Sequence, residues 1–113
     1  MSNTDTIRSL NDRFRKGDHS VPGQVLITRG LVELLEETGK PPEDLMHPVR
    51  GFDAFTPDND PHKEHDFGSF EFLGHTCFWK IDVMDPSFDM APLDPGDPQF
   101  SVRVMTVMLA EEY

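Results

Sequence analysis

Basic residues are scarce in this sequence of 113 residues. Ten lysines and arginines face 21 aspartates and glutamates, for a formal net charge of −11. Such a field repels DNA, RNA and anionic lipid and attracts basic surfaces, so direct nucleic-acid and membrane-surface binding are disfavoured. Cysteine is nearly absent. The single Cys77 allows no disulfide within the chain, which fits a reducing, cytoplasmic compartment. No stretch approaches the roughly 20 apolar residues of a membrane span. The N-terminal "MSNTDTIRSLNDRFRK" has no signal-peptide core. A glycine-rich phosphate loop and a Cys-x-x-Cys pair are also missing. No cofactor is expected.

Aromatics are plentiful by contrast. The chain has nine Phe, one Trp and one Tyr. Seven of them lie between Phe52 and Trp79, which places the core there. A chain of this length reads as one domain, residues 1–113, able to bury somewhat over about 60% of its unfolded surface.

Hydrophobic periodicity sets the expected elements. Ile7, Leu10 and Phe14 share one face of a first helix that Gly17 stops. "GQVLITRG" reads as a short strand. "LVELLEETG" reads as a helix ending at Gly39. Another helix starts at Pro41 or Pro42, with a kink or break near Met46–His47 ahead of Pro48. "SFEFLGHTCFWKIDVM" reads as a β-hairpin turning at Gly74 and His75, with Cys77, Trp79, Ile81 and Val83 on one face. "DPSFDMAPLDPGDP" reads as an irregular loop anchored by Phe88, Met90 and Leu93. Asp97 and Pro98 then open a last helix carrying Phe100, Val104 and Met108. The predicted fold is α+β: a small antiparallel sheet of about three strands, including the hairpin, packed against N- and C-terminal helices.

The densest chemistry lies in "FTPDNDPHKEHDFGSF", residues Phe55 to Phe70. Asp58, Asp60, His62 and Glu64 alternate, followed by His65 and Asp66. A calcium loop of the EF-hand kind counted from Asp58 needs Gly and Glu where Lys63 and Ser69 stand, so that reading fails. "HKEH" lacks the His-Glu-x-x-His spacing of helical zinc sites. A metal held by His62, Glu64, His65 and Asp66 is the rival reading. Asp and Asn also build turns through their own backbone, which would make the loop purely structural. Cys77 reads as a small buried hydrophobe.

Residues 53–97 hold eleven acids against Lys63 and Lys80, a net of −9. Rows of carboxylates can present to a basic groove a field like that of duplex DNA, which carries one charge per roughly 1.7 Å of axis. The leading expectation is a non-enzymatic interaction protein whose partner is a basic protein or a nucleic-acid-binding complex. Its expected contacts are Asp58, Asp60, Glu64, Asp66, Asp85, Asp89 and Asp94. The alternative is a small metal-binding protein or metal-dependent enzyme centred on His62 and His65.

"IRSLNDRFR", "GFDAFTPDNDPHKEHDFGSFEF", "FWKIDVMDP" and "VRVMTVMLAEEY" together resemble the bacterial domain of unknown function 3768. The resemblance covers nearly the whole chain. It implies a small stand-alone bacterial protein, found in alphaproteobacterial chromosomes and on mobile elements. It carries over no catalytic residue, and it adds weight to a role in mobile-element biology; an anti-restriction or anti-CRISPR inhibitor is one concrete form of the expected interaction protein.

Overall fold

A four-stranded mixed sheet backs three helices in the computed structural model, which describes residues 3–88 and 90–113. Helix α1 spans Asn3–Arg15, strand β1 Gly23–Ile27, α2 Arg29–Thr38 and α3 Pro42–Arg50. Strands β2 (Phe67–Phe72), β3 (His75–Met84) and β4 (Val102–Leu109) follow, and a short 3-10 turn covers Ala110–Glu112. The strand order is β1-β4-β3-β2, with β4 parallel to β1 and antiparallel to β3. The α+β class is as expected from the sequence.

Two expectations about helices and strands need correction. The C-terminal segment is a central strand, not a helix, and its parallel pairing with β1 makes the sheet mixed rather than antiparallel. Val102, Val104, Thr106 and Val107 are β-branched and favour the extended form. The strand is buried on both faces at Val104, Met105, Val107 and Met108. A strand buried on both sides reads as a continuous apolar run, and that run also satisfies helical spacing. The second correction concerns Pro48: α3 runs through it without the break expected near Met46–His47. Its missing amide costs the helix one backbone hydrogen bond, the one to the Asp44 carbonyl.

The helices bury one face of the sheet. Leu31 and Leu35 of α2, with Leu45, Met46 and Val49 of α3, pack on Phe72, Cys77, Trp79, Ile81, Met105, Val107 and Leu109. Fully burying a Leu, Val or Met side chain contributes about 1.5–3 kcal/mol. Trp79 lies directly across from Gly68, and a Cβ there would fall 2.3 Å from the indole nitrogen. That close approach requires glycine. The hairpin turn is Leu73–Gly74, at φ 51 and 81, with His75 already paired to Phe72. Two left-handed residues in a two-residue loop match the right-handed twist of the flanking strands.

Phe55 and Phe70, the aromatic ends of the acidic loop, do pack against this core. The second acidic loop differs from expectation. Phe88, Met90 and Leu93 are exposed, Leu93 at 93%, and do not anchor it. Its turns are set by aspartates instead. Asp85 Oδ1 accepts from the Met90 amide, Asp94 Oδ1 from the Gly96 amide and Asp97 Oδ1 from the Gln99 amide. Among the described residues no helix is long and apolar enough to cross a membrane.

Candidate functional site: an acidic loop locked to helix α1

Ile7, Asn11 and Arg15 recur every four residues, so all three point from one face of α1. The apolar stripe therefore continues into two polar side chains that are buried. Arg15 donates from Nε to the Val49 carbonyl at 3.1 Å and from Nη2 to the Phe52 carbonyl at 3.0 Å. Its third arm reaches Asp12 Oδ1 at 3.0 Å. The guanidinium also lies over the rings of Trp79 and Phe55, at 4.9 and 5.4 Å from their centroids. A planar, delocalised cation suits that stacked and forked position.

Asp12 passes the contact to the loop. Its carboxylate oxygens lie 2.8 and 3.0 Å from His65 Nδ1. The other ring nitrogen of His65 lies 3.5 Å from Asp60 Oδ2. The imidazole stacks on Phe55, centroids 3.6 Å apart and planes within 1°. Two further donors from α1 hold the loop backbone: Arg8 to the Lys63 carbonyl at 3.0 Å, and Asn11 to the Glu64 carbonyl at 2.9 Å. Lys63 and His65 adopt left-handed backbone at φ 58 and 54. Each such non-glycine residue costs about 1–2 kcal/mol, which the contacts with α1 offset.

The loop also ties itself. Asn59 accepts from the Thr56 amide at 2.8 Å and donates to the Ala54 carbonyl at 2.9 Å. Asp60 accepts from the His65 amide at 3.1 Å.

The expected contact residues therefore divide. Asp58 and Asp94 are exposed. Glu64, Asp66 and Asp85 are half-buried. Asp60 is only 5% exposed and turns inward to His65, which removes it from any contact surface. Asp89 lies outside the described residues. Glu64, Asp66 and Asp82 line one shallow hollow with Ile7, Asn11 and Val83. Burial pushes the Asp66 carboxyl above its ordinary pKa; the charges of Asp60 and Asp82 add to this, while His62 and the residue's own amide offset part of it.

His62 is exposed, whereas both ring nitrogens of His65 face carboxylates. Among the described residues no group of three or more His, Cys, Asp or Glu side chains is arranged to hold a metal. Cys77 is fully buried, and burial, with the charges of Glu71 and Glu112, pushes its thiol up to about 11. A thiol so placed is a core residue rather than a nucleophile.

The residues that sequence reasoning missed are Asn11, Asp12 and Arg15. Their signal was present: polar side chains at four-residue spacing in register with an apolar stripe.

Fold and site together define a small α+β domain that locks an acidic loop to its first helix. The chain belongs to the family described as "Protein of unknown function (DUF3768)", whose model matches residues 27–112. Neither a curated protein nor a solved structure matches the chain significantly.

Proposed function

We propose that this protein is a non-enzymatic binding module that presents a fixed negative surface to a basic partner. The observation that carries the reading is how the acidic segments are held. Asp94 and Asp97 are oriented by backbone amides, at 2.9 Å in each case. A neutral donor fixes a carboxylate without cancelling its charge. Residues 53–97 have eleven acids and two lysines, so the segment's own cations can balance at most two of its carboxylates. Pre-set carboxylates bind a basic groove without a large ordering cost.

The contact residues in this reading are Asp58, Glu64, Asp66, Asp85 and Asp94. One concrete form is an inhibitor that occupies the nucleic-acid site of a basic host machine, of the anti-restriction or anti-CRISPR kind, in the bacterial cytoplasm. The test is capture from a nuclease-treated extract of a native host, followed by binding measurements on the recovered protein. The reading expects a basic partner whose affinity falls steeply with added salt and whose nucleic acid competes for the same site. A partner bound equally well at low and high salt would sink it.

A further inference from the structure

His65 sits between two carboxylates that come from different elements. Its Nδ1 lies 2.8 Å from Asp12 Oδ1 on α1, and its Nε2 lies 3.5 Å from Asp60 Oδ2 within the loop. Little water reaches the second contact: the side chains of His65 and Asp60 are 23% and 6% exposed. Stacking on Phe55, at 3.6 Å between centroids, holds the plane of the ring. The other oxygen of Asp60 accepts from the His65 amide at 3.1 Å, which aims Oδ2 at the ring. The Lys63 amide bonds to the Asp60 carbonyl, so Asp60 to His65 form one closed turn. Lys63 and His65 hold left-handed backbone inside it, at φ 58 and 54, and that strain relaxes if the turn opens.

An imidazolium has an N–H at each ring nitrogen and serves both carboxylates. The neutral ring has only one N–H. With Asp12 at hydrogen-bond distance that N–H belongs on Nδ1, so the lone pair of Nε2 faces the Asp60 carboxylate. Two acceptors opposed in a poorly hydrated site repel, and each is left without a partner there. Other charges face the pair. From α1, Arg15 bonds to Asp12 at 3.0 Å, and Arg8 lines one hollow with the ring, Asp60 and Lys63. Within the loop, Asp66 acts on Asp60 as a like charge. Strand β3 contributes Trp79, edge-on to Phe55, which does not titrate.

We propose that His65 is a proton-operated latch on the acidic loop. Its charged ring keeps Asp60 turned inward and the Asp60–His65 turn closed. Loss of the ring proton sets Nε2 against Asp60, the carboxylate swings out to solvent, and the turn opens. Histidine switches of this kind work through one such change of charge biasing a two-state element. The outer surface then gains a carboxylate as the loop loses a cation. For the basic partner of the proposed function this means tighter binding as pH rises through the ring's titration. That consequence rests on the functional reading, whereas the latch is read on the free protein and stands or falls without a partner.

Nuclear magnetic resonance of the intact protein between about pH 5 and about pH 8 tests this. The nitrogen shifts of the His65 ring report its proton, and amide order parameters of Lys63, Glu64 and His65 report the turn. Those order parameters should fall from about 0.85 to below about 0.6 along the ring's own titration. Asp60→Asn should keep the turn ordered throughout, because its amide nitrogen donates to the neutral Nε2 while its oxygen keeps the His65 amide. His62→Gln, at an exposed histidine of the same loop, should leave the wild-type transition in place. The proposal is overturned if the ring loses its proton and the turn stays ordered, or if the ring is still charged at the upper end of the range. It is equally overturned if Asp60→Asn opens over the same range, or if His62→Gln abolishes the transition. Should Asp60→Asn not fold, the wild-type comparison of ring and turn decides alone.

Discussion

Asp12 Oδ1 lies 2.8 Å from His65 Nδ1, joining a helix residue to a loop residue 53 positions away. The contact is partly buried, with side-chain exposures of 27% and 23%. With the bonds of Arg8 to the Lys63 carbonyl and of Asn11 to the Glu64 carbonyl, it is one of three ties by which α1 holds the acidic loop. His65→Ala removes a hydrogen bond to a carboxylate and the stacked contact with Phe55. Partial exposure discounts both, and the expected cost is about 2 kcal/mol. Urea denaturation measures it, and a loss below about 0.5 kcal/mol would mean that the other ties, from Arg8, Asn11 and the loop's own bonds, suffice to hold it.

Asp66 makes a pH prediction. Its folded pKa is raised by burial first, then by Asp60 and Asp82. The native state thus binds this proton more tightly than the unfolded chain does. Stability from this group is present at low pH and declines as pH rises from the ordinary value of 3.8 through the raised one. At neutral pH the charged form is a net penalty. Asp66→Asn should raise the midpoint of thermal unfolding at pH 7 and leave it little changed near pH 3. A lower midpoint at pH 7 would contradict this. A destabilising carboxylate retained in the fold also fits a residue kept for binding.

Arg103 tests the burial of a cation without a carboxylate in its hydrogen bonds. It is fully buried and donates to Asn11 Oδ1 at 3.0 Å, Ser101 Oγ at 2.9 Å and the Pro95 carbonyl at 2.6 Å. Burial brings its pKa down to about 10, so it stays charged at neutral pH. It joins β4, α1 and the second acidic loop. A lysine has one nitrogen and cannot serve three divergent acceptors. Arg103→Lys should cost about 2–3 kcal/mol in denaturant unfolding. A cost near zero would show that solvent or repacking replaces the fork.

Leu73 sits at φ 51 in the hairpin turn and is exposed. Asparagine tolerates that conformation far better. Leu73→Asn should stabilise the protein by about 1 kcal/mol. Equal or lower stability would show that the leucine makes a contact worth its strain.

Much of this fold was legible in local pattern. The stripe Ile7, Leu10 and Phe14 marks α1, and the alternation from Cys77 to Val83 marks β3, because each buries one face. Strand β4 was misread because it is buried on both faces and has no alternation to display. The acidic loop stood out by composition, yet its mechanical partners did not. Asp12 and Arg15 lie some fifty and forty residues from His65 and Phe55, and no local window links them. Phe88, Met90 and Leu93 misled for the opposite reason: apolar type implies burial only where a partner surface exists.

Replacing Asp58, Asp85 and Asp94 together with Asn tests the central claim most directly. Asparagine keeps one oxygen for the backbone amides of Met90 and Gly96 that Asp85 and Asp94 hold, and the Ser87 hydroxyl, which donates to the second oxygen of Asp85, can turn to accept from the new amide, so the backbone capping is retained while charge is removed. The measurement is the affinity of wild type and variant for the captured basic partner across a salt series, with the unfolding midpoint as control. The account predicts an unchanged midpoint, weaker binding at low salt and a shallower salt dependence. An unchanged midpoint with unchanged affinity would contradict it and leave the carboxylates as turn builders alone.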